Sequence, residues 1–214
     1  MSLTLINAAL AIPKKPSKEL VQEYLRDLYG QHPDAVYQLS QIYNYFMPSA
    51  PAKAKTAFQW VARSCGDNDA RAGLNFVWVD GEGFMVATNG HMLHMAPTTL
   101  ARGYYHPKTG EPCNCDYIYP DWRRVVPVTP SKELVGFMLR MADTTTYEVQ
   151  MKNSTMHVLQ VPTDYGVQGF DRKYVLAALN GRTESRGYIS TRLDHAQMVL
   201  VDGDRTAVIM GTRS

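Results

Sequence analysis

The turn signals Asp80-Gly81-Glu82-Gly83, Asn89-Gly90 and Asp202-Gly203-Asp204 each separate stretches in which apolar and polar residues alternate. Asn-Gly and Asp-Gly pairs accept the positive φ values of tight hairpin turns at little steric cost, and a tight turn joins antiparallel neighbours. The chain is thereby committed to antiparallel sheet. Leu74 to Val79, Gly83 to Thr88 and His91 to Ala96 read as one meander, and Arg186 to Thr191, Gln197 to Val201 and Thr206 to Met210 as another. Tyr147 to Met151 and Met156 to Val161, divided by Lys152-Asn153-Ser154, add a further hairpin.

Between these strands the apolar period changes to that of a helix. Ala57, Phe58, Val61 and Ala62 make one stripe over Ala52 to Ser64. Pro130-Ser131-Lys132-Glu133-Leu134-Val135 predicts a second helix over Ser131 to Met141 and nearly repeats the chain at Pro16. Asp171 caps a third, carrying Tyr174, Val175, Ala178 and Leu179 to the stop at Gly181. From residue 52 a helix followed by strands therefore recurs three times, the pattern of an α+β domain. Residues 1 to 50 differ. Ser17 after Pro16 opens a helix with Leu20, Val21, Tyr24, Leu25 and Leu28, and Pro33 opens another with Val36, Leu39, Ile42, Tyr43 and Phe46. This predicts an N-terminal helical hairpin over 1–50, a proline linker Pro48-Ser49-Ala50-Pro51, and a second domain over 51–214.

The function classes left open are narrow. Hydrophobic residues make up 45% and charged residues 20% of the 214, close to a globular average, and no apolar run approaches the ~20 residues of a membrane span. No signal peptide is read in Leu3 to Ile12, so the expected compartment is the cytoplasm, the host's if the protein is viral. Cys65, Cys113 and Cys115 have no disulfide-framework spacing. Cys113, Cys115 and His106 lack the second ligand pair of structural zinc, and His91 and His94 lack a third ligand, so no metal or other cofactor is expected. Phosphate loops, nucleophile elbows and metalloprotease helices are missing from the sequence, and Asp202-Gly203-Asp204 is too close to the next strand for a calcium loop. A non-enzymatic protein is expected.

Phe84-Met85-Val86-Ala87-Thr88-Asn89-Gly90-His91-Met92-Leu93 resembles the Val-Ala-Thr-Asp-Gly-His-Arg-Leu segment of the DNA sliding-clamp superfamily, typified by the beta subunit of bacterial DNA polymerase III. Tyr119-Pro120-Asp121-Trp122-Arg123-Arg124-Val125 resembles its Phe-Pro-Asp-Tyr-Arg-Arg-Val, and Val175 to Asn180 and Val208-Ile209-Met210 resemble its last helix and strand, in the same order. The resemblance implies repeated helix-plus-antiparallel-strand units over most of residues 53 to 213. It also implies a hydrophobic pocket for short peptide motifs of polymerases and other clients, here walled by Leu74, Thr88, Gly90, His91, Leu93, Pro120, Val125, Val208 and Met210. Met92 stands where the family has arginine, which changes the pocket rim. The family encircles duplex DNA with helix-borne cations, but one such chain has too few units for a ring, so a ring needs several copies head to tail.

Cations lie on the predicted helices at Lys53, Lys55 and Arg63, at Lys132 and Arg140, and at Arg172 and Lys173. Another group, Arg102, Lys108, Arg123 and Arg124, is interleaved with Tyr104 and Tyr105 in a segment broken by glycine and proline. Aromatic faces stack unpaired bases while cations follow phosphates, so this segment predicts single-stranded DNA binding. The resulting expectation is a homo-oligomeric, clamp-fold DNA-binding protein, favoured for single strands and possessed of a viral character, that recruits a polymerase. The alternatives are a sliding clamp on duplex DNA and a module that binds client peptides without DNA.

Overall fold

The computed structural model describes residues 56–126, 133–152, 154–192 and 196–212. The N-terminal hairpin, Lys53, Lys55 and Lys132 lie outside the described residues. Thr56 caps helix α1 (Ala57–Ala62) with a reciprocal box: its side chain accepts from the Gln59 N–H, while Gln59 accepts from the Thr56 N–H. Strands β1 (Val77–Val79), β2 (Phe84–Thr88), β3 (Met92–Pro97), β4 (Gly103–Tyr105) and β5 (Pro112–Cys113) follow. Then come β6 (Leu134–Arg140), β7 (Thr145–Gln150), β8 (Thr155–Thr163) and β9 (Gly166–Asp171), helix α2 (Arg172–Leu179), and β10 (Glu184–Ser190), β11 (Gln197–Asp202) and β12 (Arg205–Met210).

The strands form a nine-stranded sheet in the order β5-β4-β1-β2-β3-β12-β11-β10-β6 and a three-stranded sheet β7-β8-β9. Every named strand pair is antiparallel, as the turn chemistry requires. The seam between β3 and β12 sets Leu93 opposite Val208 and Met92 opposite Ile209. Alternation along these strands divides the core in two. Val77, Met92, Ala207 and Ile209 join Trp60, Val61, Val175 and Leu179 on the helix-bearing face. Leu74, Leu93, Val199 and Val208 join Tyr104, Tyr119 and Trp122 on the opposite face.

The two helices are tied to each other as well as to the sheet. Trp60 Nε1 donates to the Ala178 carbonyl at 3.1 Å, and Arg63 Nη1 donates to Asn180 Oδ1 at 3.0 Å. Asp171 caps α2 by accepting from the Lys173 N–H, and Asn180 ends it in the left-handed conformation, φ 52°.

One predicted helix is a strand. Ser131 to Met141 was expected to be helical, yet Leu134–Arg140 pairs along its whole length with β10, from Leu134 opposite Ser190 to Arg140 opposite Glu184. Val135, Phe137 and Leu139 pack on the helix-side core while Leu134 joins the other one, so the working period is two. Gly136 sits in its middle and disfavours a helix there. Helix-then-strands thus recurs twice, not three times, among the described residues.

Candidate functional site

The sequence-predicted pocket residues come from four distant segments, and the fold brings most of them to one region. Leu74, at the 3-10 turn Ala72–Asn75, is buried with Leu93, Val208, Tyr119 and Trp122. Asp121 caps a second 3-10 turn, Trp122–Arg124, which lays Trp122 against Phe84 with ring centroids 6.0 Å apart. Exposed residues border this buried apolar cluster. The Met210 N–H donates to the His91 carbonyl at 2.9 Å, and Gln197, opposite Met210 in the ladder, donates from Nε2 to the Val125 carbonyl at 3.1 Å. Val125, Met210 and the Gly90–His91 corner are therefore linked by hydrogen bonds through the end of β12 and the start of β11, with Val125 47% and Met210 40% exposed. Thr88 shapes the corner: its hydroxyl donates to the Met92 carbonyl and accepts from the Gly90 N–H. Gly90 has φ 87°, and a Cβ there would stand 3.1 Å from an Arg71 guanidinium nitrogen. Pro120 is exposed beside buried Tyr119.

Met92 does not share this wall. It is buried in the helix-side core, because successive residues of β3 face opposite sides of the sheet. The expected change at the rim is thus an exchange into the core. The His91 ring lies on the helix-bearing side, 6.1 Å from that of Tyr174 on α2 and stacked at 10°. The Trp122 Nε1 is buried and meets no acceptor among the described residues.

The proposed base-stacking pair is corrected by burial. Tyr104 and Tyr105 are only 6% and 7% exposed because β4 pairs with β1, setting Tyr104 opposite Trp78 and Tyr105 opposite Val77. Tyr104 packs among Phe76, Trp78 and Tyr119, and its hydroxyl donates to the Tyr117 carbonyl. Tyr105 enters the helix-side core and donates to the Ala101 carbonyl at 2.8 Å. Neither ring has a free face for a base.

Nor do the predicted cations form one surface. Arg123 is held between Asp80 and Glu82, both at 2.7 Å, and lies over the Trp122 ring at 4.4 Å. It anchors the second 3-10 turn to the β1–β2 corner. Arg102 covers Trp78 on the same side, at 5.6 Å. Lys108 and Arg124 are exposed. Arg140 is on a strand near Asp143 and Glu184, at 4.0 and 3.9 Å. Arg172 is buried, and Lys173 pairs with Asp171 at 3.2 Å and lies 4.6 Å over Tyr174. Arg63 and Lys173 therefore belong to the helix-bearing side, whereas Arg102 and Arg123 belong to the face behind it. Sequence reading passed over Arg205, whose guanidinium lies 5.9 Å over Trp60 on the helix side, and Arg182, which pairs with Asp202. The alternation of β12 is the signal that places Arg205 with Ala207 and Ile209.

Among the described residues no three His, Cys, Asp or Glu side chains converge as metal ligands, and no helix is long and apolar enough to cross a membrane. Burial pushes the Cys65 thiol up to about 12, which keeps it protonated and unreactive at neutral pH.

No protein-family model and no curated protein matches this sequence. Solved structures do match. The fold is similar to the DNA polymerase III beta chain of Streptococcus pneumoniae TIGR4, with TM-score 0.50 and 13% identity over 78% of this chain and 66% of that one. It is also similar to a DnaN sliding clamp, DNA polymerase III subunit beta, of Bartonella birtlesii bound to griselimycin, with TM-score 0.51 and 14% identity over 74% of this chain and 63% of that one. The matched part makes up less than two thirds of either clamp chain.

Proposed function

From the premise that this chain has the DNA sliding-clamp fold, we propose that it is a non-enzymatic clamp-like accessory protein of DNA replication that docks a client protein's linear peptide in the groove bounded by Gly90, Val125 and Met210. The observation that carries this reading is the convergence of Leu74, Leu93, Val208 and Trp122 into one apolar floor beneath an exposed apolar rim. A floor of this kind suits an aliphatic or aromatic anchor on an extended segment, with backbone groups at the Gly90 corner fixing its direction. The client is a polymerase or another replication protein. DNA is met on the helix-bearing side, where Arg63, Lys173 and Arg205 lie, and duplex replaces single strands as the favoured form now that Tyr104 and Tyr105 are buried.

A second reading, a peptide-docking module that holds no DNA, is favoured by the division of the cations between two faces. One set of measurements separates the two. Val125→Asp and Met210→Asp replace exposed rim side chains and leave the floor intact, so binding of a fluorescent clamp-client peptide is expected to weaken at least about tenfold, the worth of one buried apolar anchor. Unchanged peptide affinity in both variants would remove the groove from the function. Lys173→Glu with Arg205→Glu is expected to weaken retention on duplex DNA and to flatten its salt dependence. DNA retention unaltered by that pair, or none in the unaltered protein, leaves the peptide-only module.

A further inference from the structure

The two ends of the nine-stranded sheet are built differently. At one end β5 is two residues long and begins with Pro112, so it offers little for another strand to pair with. At the other end β6 is seven residues long, Leu134–Arg140, and among the described residues pairs only with β10. It contains no proline or lysine, and its single charge, Arg140, is its last residue. Val135 and Phe137 are partly buried and Met138 is 37% exposed.

Its free backbone groups can be assigned. The Met141 N–H donates inward to the Thr183 carbonyl, and the Glu133 carbonyl accepts from the Thr191 N–H, both at 2.9 Å. These residues bracket β6 at odd positions, so in a regular ladder the odd positions face β10. The N–H and C=O groups of Leu134, Gly136, Met138 and Arg140 then face away from the sheet.

We infer that β6 is a self-association edge, on which a second copy of this chain pairs antiparallel through its own β6 about a two-fold axis at Phe137. The outward residues allow one centred register, with Gly136 opposite the partner's Met138 and Leu134 opposite the partner's Arg140. In it Phe137 faces its own symmetry mate across a non-hydrogen-bonded position, where side chains approach most closely. Met138 meets a glycine whose missing Cβ would have nothing within 4 Å, so a large side chain enters open space on both halves. The like charges stay apart: the two Arg140 residues lie at opposite ends of the paired strands, about 20 Å from each other at strand rise, well beyond a Debye length. Such an interface is isologous and closes at two copies, unlike the head-to-tail contact that a ring requires. It stands independently of the DNA and peptide readings.

The test uses the full chain in sedimentation equilibrium over a concentration series, with Met138→Pro and Met138→Lys as variants. Proline at 138 removes one outward N–H from each copy and leaves the β10 ladder's inward donors in place; lysine keeps the donor and adds a charge at the edge. A monomer–dimer equilibrium is expected, weakened roughly tenfold to a hundredfold by proline, since two symmetry-related hydrogen bonds are lost. The lysine variant is expected to weaken it as well, with its thermal midpoint unchanged. Amide exchange at Gly136 and Met138 is expected to slow only as concentration rises. A monomer at every concentration, a trimer or larger ring, or a dimer indifferent to both variants would overturn the inference. So would protection of these two amides in the monomer, which would mean that another segment of the same chain occupies the edge.

Discussion

Replacing Gly187 with alanine is expected to cost about 3 kcal/mol or more of folding stability, read as a lowered midpoint in urea unfolding. Gly187 lies in the middle of β10, opposite Leu200 of β11 on one side and Phe137 of β6 on the other. A Cβ built there would stand 1.9 Å from the Val199 carbonyl oxygen and 3.0 Å from its carbon. Those are backbone atoms held in the ladder, so they cannot swing aside as the end of a side chain would. Either β10 separates from β11 or the ladder shifts, and both give up hydrogen bonds and buried apolar area. Gly136→Ala is the matched control. It lies one strand away, its added methyl meets nothing within 4 Å, and at monomeric concentrations its midpoint should change by no more than about 0.5 kcal/mol. Equal effects in the two variants would show that glycine's chain entropy, and not the close approach of Val199, sets the response.

The second large effect is on pH. His94 is fully buried, stacked on Trp60 with ring centroids 4.2 Å apart, and its Nδ1–H donates to the Trp60 carbonyl at 2.8 Å. Its Nε2 has no partner among the described residues. Burial pushes the imidazole down to about 4; the bond to the Trp60 carbonyl opposes this, and the positive charge of Arg63 adds to it. The folded chain therefore refuses a proton that the unfolded chain accepts near 6.5. Below that value the unfolded state binds more protons, so stability falls as pH drops from about 6.5 to about 4 and is unaffected by this group above it. The full loss is about 3 kcal/mol. His94→Phe keeps a ring on Trp60 and removes the titration. Its stability in water should be lower at pH 7, yet the slope between pH 6 and 4.5 should be flatter than that of the unaltered chain by up to about 1.4 kcal/mol per pH unit. Parallel slopes would mean that the site admits the proton without penalty.

What could be read in the sequence was what local chemistry decides. The cap at Asp171, the stop read at Gly181, one residue past the left-handed Asn180, and the hairpin glycines Gly90 and Gly203, at φ 87° and 60°, act within a few residues of themselves. The clamp resemblance likewise rested on four local strings in order, two of them specific, and the fold to which they pointed is the one found. The misreadings share a cause, a partner far along the chain. Pro130 to Val135 carries a helix-opening pattern, but β10 offers the seven residues from Leu134 a ladder, and that outweighs propensity. Tyr104 and Tyr105 sit among glycines and prolines, and only pairing with β1 shows that they are interior. Arg123 looked like a free cation because Asp80 and Glu82 are 43 and 41 residues away. Strand β9 gave no pattern: Gly166 and Gly169 lower its propensity, and Gln168 on its inner face is buried by donating to the Ser190 carbonyl. Leu74, Leu93 and Val208, grouped from the sequence, are buried in one cluster, while the side taken by Met92 depended on strand parity at a turn.

The seam between β3 and β12 joins residues 92–95 to residues 206–209. Without β12 the large sheet would be two separate pieces, β5 to β3 and β11 to β6. During synthesis the earlier meander can gather around α1 as it emerges, but its inner border stays open to solvent until the β11–β12 hairpin has left the ribosome. Closure of the large sheet thus waits on β12, and the interval between the making of β3 and of β12 is when a chaperone has most to protect.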